Sequence, residues 1–132
     1  MKRLTIVAAA LALAGCTTSA EQIDKQIAGQ QPPSAALRQK IVEAARTELK
    51  DPYSVRDATI SSYIPAPGKP NTGFVCVRYN AKNGFGGYTG LSTVGTNVIN
   101  GELRGLFQNP YQCTLASLHW YPLPEAKQLQ NL

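Results

Sequence analysis

Apolar side chains recur every four residues between positions 35 and 50, at Leu37, Ile41, Ala45 and Leu49, with Val42 and Ala44 widening the stripe. That spacing lays them along one face of an α-helix. Ser34 stands where an N-cap belongs, and Pro52 stops the helix because it disfavours helical geometry at Asp51. Arg38, Lys40, Glu43, Arg46 and Glu48 cover the opposite face, which reads as solvated. Past Pro52 the period falls to two. Ala58, Ile60, Ser62 and Ile64 would point one way and Thr59, Ser61 and Tyr63 the other, as on a strand.

Pro65, Pro67, Gly68 and Pro70 break this pattern in a loop at 66–72. The run 74–80 (FVCVRYN) is the strongest strand in the chain. Asn83-Gly84 signals a turn, residues 88–94 a return strand, and Asn100-Gly101 a second hairpin joining 96–99 to 102–106. Asn109-Pro110 interrupts the chain, and 115–121 predicts a last strand. The pattern predicts an α+β fold: one N-terminal helix packed on a small antiparallel sheet of four to six strands. Residues 35–121 form that domain, and the polar segment 122–132 reads as a loosely held tail.

The first residues follow another logic. Met1-Lys2-Arg3 is basic, and Leu4 to Ala14 is almost uninterruptedly apolar. The run is shorter than the ~20 residues a membrane-spanning helix needs, and fits the core of a secretory signal. Leu13-Ala14-Gly15-Cys16 resembles the bacterial lipobox. The resemblance implies a cleaved signal peptide at 1–15, acylation of Cys16, and a flexible tether over 16–34 with a short helical stretch near 21–28. Thr17 rather than Asp after the cysteine resembles the outer-membrane sorting signal, so the expected location is the outer membrane, lipid-anchored and facing the periplasm. Two or more acyl chains hold a protein firmly where one does not.

Composition narrows the classes. The 132 residues hold 13 Lys+Arg and 8 Asp+Glu, a net +5, with 43% hydrophobic and 16% charged. Lys2 and Arg3 account for two of those five charges, leaving +3 after cleavage, too weak a balance to suggest nucleic acid. Eleven Gly and nine Pro argue against a coiled coil, and the length against a multi-domain enzyme or a multi-span transporter. Once Cys16 is assigned to lipid, Cys76 and Cys113 remain as a pair for one disulfide in an oxidising compartment.

Candidate chemistry is sparse. The run Asn83-Gly84-Phe85-Gly86-Gly87-Tyr88 precedes strand rather than helix and lacks the Lys-Ser or Lys-Thr of a phosphate loop. It reads as a hairpin in which Phe85 and Tyr88 pack across the turn, or as a ligand groove, with Gly86, Gly87, Tyr88 and Tyr121 as the binding-surface candidates. His119 is the sole histidine; a triad would need it with Ser92 or Ser117 and with Asp51 or Asp57. No cofactor and no metal site is expected, since one His, few acids and a bridged Cys pair supply no ligand set.

Two segments carry a resemblance. Leu49-Lys50-Asp51-Pro52-Tyr53-Ser54 resembles the L-K-D-P-x-S segment of a group of small bacterial envelope proteins. Cys76 to Tyr88 is similar to their C-x-x-x-N-A-K-N-x-x-G-G-Y segment. The resemblance implies a secreted or lipid-anchored protein and supplies no catalytic residue. The function expected is therefore a non-enzymatic binding or structural module, with the membrane and an envelope protein or the cell wall as partners. Two alternatives stand beside it: an inhibitor of a periplasmic or host hydrolase using the 66–72 loop, and a small hydrolase using His119.

Overall fold

A computed structural model describes residues 20–130. The expected signal peptide 1–15, Cys16 and the start of the tether lie outside the described residues. Two α-helices, α1 (Ala20–Ala28) and α2 (Ala35–Glu48), precede six strands: β1 (Arg56–Ser61), β2 (Ile64–Pro65), β3 (Thr72–Asn80), β4 (Ser92–Ile99), β5 (Glu102–Gln108) and β6 (Trp120–Pro122). The strands form one antiparallel sheet in the order β5-β4-β3-β1-β6, with β2 beside β3. The fold is α+β, pinned by a disulfide between Cys76 and Cys113.

Helix α2 begins as its sequence dictates: Ser34 Oγ accepts the Leu37 N–H at 3.1 Å. Its stripe, Leu37, Ile41 and Val42, packs on one face of the sheet with Ile60, Val75, Val77, Val94 and Val98. Its outer face is less free than a solvated face would be. Arg38 pairs with Glu125 and Lys40 with Glu102, each at 2.7 Å, tying α2 to the C-terminus and to β5.

The other face carries a smaller core of Ile27, Ile64, Cys76, Cys113 and Leu118. The short helical stretch expected near 21–28 is α1, but the flexible tether expected over 16–34 is corrected from Ala20 onward. Ile27 of α1 is buried. Gln31 and Tyr63 exchange both backbone hydrogen bonds, at 2.9 and 2.7 Å. Gln30 Nε2 donates to the Ser117 carbonyl, and its Oε1 accepts the His119 N–H. A segment with this many partners is docked.

The polar tail expected at 122–132 is a second correction. Pro124–Gln130 is a 3₁₀ helix with Ala126 and Leu129 buried. Leu123, Ala126 and Leu129 are spaced by three, so in a helix of three residues per turn they stack on one side, against α2 and the sheet.

The strand limits shift too. The final strand is Trp120–Pro122 rather than 115–121, because the chain turns at 115–118, where Leu118 N–H donates to the Leu115 carbonyl at 3.2 Å. The return strand begins at Ser92, so the link from β3 to β4 is an eleven-residue loop at 81–91. Asn100-Gly101 is the tight hairpin expected, both residues at positive φ (51° and 77°).

Candidate functional site

The disulfide sits in the row Ser61, Cys76, Gly95, Phe107 across the sheet. Ser61 Oγ accepts the Cys76 N–H at 2.8 Å, and both cysteines are fully buried. Arg78, next but one on the same face, lays its guanidinium 3.8 Å above the Trp120 ring and donates to the Cys113 carbonyl at 3.1 Å. Gly95 makes this crossing possible. A Cβ there would collide with the Phe74 ring and come within 2.8 Å of Pro110.

The glycine-rich loop holds a turn of its own. Gly86 N–H donates to the Asn83 carbonyl and Asn83 N–H to that of Gly87, while Asn83 Oδ1 accepts from the Phe85 and Gly87 N–H groups. Gly86 takes φ +82°, and both Gly86 and Gly87 stand in open space. Phe85 does not pack across the turn as its position suggests. It is fully exposed, because the turn at 83–86 aims it away from the sheet.

Tyr88 is exposed at 37%, yet its polar and aromatic groups are engaged. Its hydroxyl donates to the Ser54 carbonyl at 2.7 Å, and the Arg56 guanidinium stacks 3.6 Å from the ring centroid. Ser54 in turn accepts the Lys82 N–H. The hairpin is thus clamped to the turn that ends α2. Tyr121 is not part of this arrangement. On β6 it pairs with Ile60 of β1 and lies half-buried against the main core.

His119 is exposed, and its carbonyl accepts the Ser62 N–H beyond the end of β1. Asp57 stands near the start of that strand, five residues earlier, which at about 3.3 Å per residue is roughly 16 Å away. His119 and Asp57 are not brought together. The 66–72 loop is closed on itself, with Ala66 N–H donating to the Thr72 carbonyl at 2.9 Å and Lys69 N–H to that of Ala66. Among the described residues no three of His, Cys, Asp and Glu gather as a metal site.

A feature absent from the sequence reading is an apolar cavity of about 450 Å³ between α2 and the sheet. Ala44, Ala45 and Leu49 form its helical wall, and Val77, Val94 and Leu103 its floor. It exists because the residues there are small and because β5 carries a bulge. The register slips between Gly95 and Asn97, and Gly105 takes φ +78°. The extra residue leaves Leu106 on the cavity side at the sheet edge, 52% exposed. Burial pushes the hydroxyl pKa of the lining Tyr79 up, which keeps it neutral. The space opens to solvent where its lining residues Leu106 and Glu48 are exposed. A glycine inside the strand pattern, Leu103-Arg104-Gly105-Leu106, was the one sequence signal of it.

No family model, no curated protein and no solved structure matches this chain.

Proposed function

We propose that this is a lipid-anchored envelope protein, held by acylated Cys16 in the outer membrane and facing the periplasm, that serves without catalysis as a binding module for another envelope component. The observation that carries the reading is Leu13-Ala14-Gly15-Cys16 behind a basic start and an apolar run. The Cys76–Cys113 bridge supports it, since disulfides persist in oxidising compartments.

The docking of α1 refines the proposal. Only residues 17–19 separate Cys16 from Ala20 at the start of α1. Four Cα steps span at most about 14 Å, so with α1 in place the domain rides against the bilayer. This favours a partner at the membrane surface over a distant layer of the wall. The test is partition. Produced from its own leader in a Gram-negative host, the wild-type chain enters the detergent phase on Triton X-114 extraction, and Cys16→Ser moves it to the aqueous phase. Equal partition of the two refutes the anchor.

A further inference from the structure

We propose that residues 20–31 are a releasable strap: α1 and the bridge behind it undock as one unit from a domain that stays folded, and undocking lets that domain stand further from its acylated cysteine. The strap itself does not depend on the anchor reading; the gain in reach does. Three observations carry it.

The first is how little α1 buries. Of its nine residues Ile27 alone is buried, with Ile23 packed beside it on the smaller core. Nine residues fall short of the ~12–15 that an isolated helix needs in water, so α1 is helical while docked and unravels when it leaves. Behind it, Gln30 holds the Ser117 carbonyl and the His119 N–H through exposed bonds, for which water competes. Gln31 adds its backbone pair with Tyr63.

The second is where the chain is fixed again. Pro33 is buried and its carbonyl accepts from Arg38 Nη1 at 3.3 Å, while Ser34 Oγ caps α2. Helix α2 therefore keeps its start without α1, and Pro32 marks the joint. The third is what α1 leaves behind. The core it covers contains the Cys76–Cys113 bridge, so β3 and the 111–114 segment stay joined when Ile27 departs. The main core, with Leu37, Ile41 and Val42 of α2, takes no residue from α1. Opening is thus local, and easier than unfolding the whole domain. Docked, the four Cα steps from Cys16 keep Ala20 within about 14 Å of it. Released, the chain from Cys16 to Pro33 spans up to about 60 Å. One anchor then serves a partner at the bilayer and one well away from it.

The experiment is native-state hydrogen exchange, read by NMR on the full chain carrying Cys16→Ser. The Tyr63 and His119 amides sit on the body of the domain and their acceptors, on Gln31 and Gln30, sit on the strap. Their exchange reports release rather than fraying of α1. The amides of Ile27, Gln31, Tyr63 and His119 share one protection factor to within about threefold, at least about a hundredfold below those of Val75 and Val77 in β3. Low urea hardly changes their exchange, because release exposes little surface, while that of β3 quickens steeply. Ile27→Asp frees the strap outright: the four amides lose protection, and Val75 and Val77 stay protected. Four amides that exchange at the β3 rate and with its urea dependence overturn the proposal. So does an Ile27→Asp chain that unfolds whole, and so does fraying of α1 with Tyr63 and His119 still protected like β3. Reach is read on the acylated chain, bound to vesicles of acceptor-labelled lipid, with a donor on Phe85→Cys, a fully exposed position. Ile27→Asp lowers the energy transfer. A chain that does not bind the vesicles refutes the anchor and leaves the strap to the exchange result, whereas a bound chain with unchanged transfer overturns the reach.

Discussion

Replacing Cys76 and Cys113 together by alanine removes the one covalent link between β3 and the 3₁₀ segment that covers it. The bridged residues are 37 apart in sequence. In the chain-entropy model a loop of that length restricts the unfolded chain by an amount worth about 4 kcal/mol at 25 °C. Both positions are fully buried among Ile27, Ile64 and Leu118, so loss of the sulfur atoms adds to the effect. For a domain of about 110 residues the unfolding entropy near the midpoint is ~0.23 kcal/mol per kelvin, so 4 kcal/mol lowers Tm by about 17 °C. The assay is thermal unfolding followed by circular dichroism, with single variants included to separate packing from cross-linking. Each single variant falls almost as far as the double one, because either change opens the loop. A double variant within about 4 °C of the parent would refute the reasoning.

Three further outcomes follow from the packing. Leu129→Ala, at a side chain 2% exposed, costs about 2–5 kcal/mol in a urea titration, where a loose tail would lose almost nothing. Gly95→Ala drives a methyl into Phe74 and Pro110 and lowers stability by about 1–3 kcal/mol, with the Phe74 and Phe107 ring resonances displaced. Glu125 supplies a pH dependence. Its own backbone N–H, followed by the Arg38 guanidinium, holds its carboxyl below the usual range against the opposing effect of burial. A carboxyl depressed in the folded state stabilises it above the unfolded pKa of about 4.3 and loses that contribution as pH falls through the folded value. The stability gap between the parent and Glu125→Gln, read from urea midpoints, is therefore larger at pH 7 than at pH 3, and a constant gap would contradict the assignment.

What the chain discloses in advance depends on the period of its pattern. Helix α2 was legible because Leu37, Ile41, Ala45 and Leu49 repeat at the helical spacing between a Ser cap and a Pro stop. The second hairpin was legible because Asn100-Gly101 suits the positive φ that its turn needs. The C-terminal helix was not, since Leu123, Ala126 and Leu129 repeat every three residues amid polar neighbours, which matches neither the strand nor the α-helical period. Helix α1 was legible as a short helical stretch but its docking was not, since Ile23 and Ile27 are its one large apolar pair and its hold comes from Gln30 and Gln31 bonding to distant backbone. The Cys76–Cys113 pair could be counted from sequence. The cavity depends on a one-residue bulge at Gly105, and the engagement of Tyr88 on Arg56 and Ser54, residues that meet only after folding.

The central proposal, an acylated and disulfide-pinned envelope module, is tested most directly by intact mass spectrometry of the membrane-extracted protein before and after reduction with alkylation. The account predicts a chain beginning at Cys16 that carries acyl mass, with two alkylatable thiols appearing on reduction and none before it. A chain without acyl mass, or one in which Cys76 and Cys113 alkylate without reductant, would contradict it.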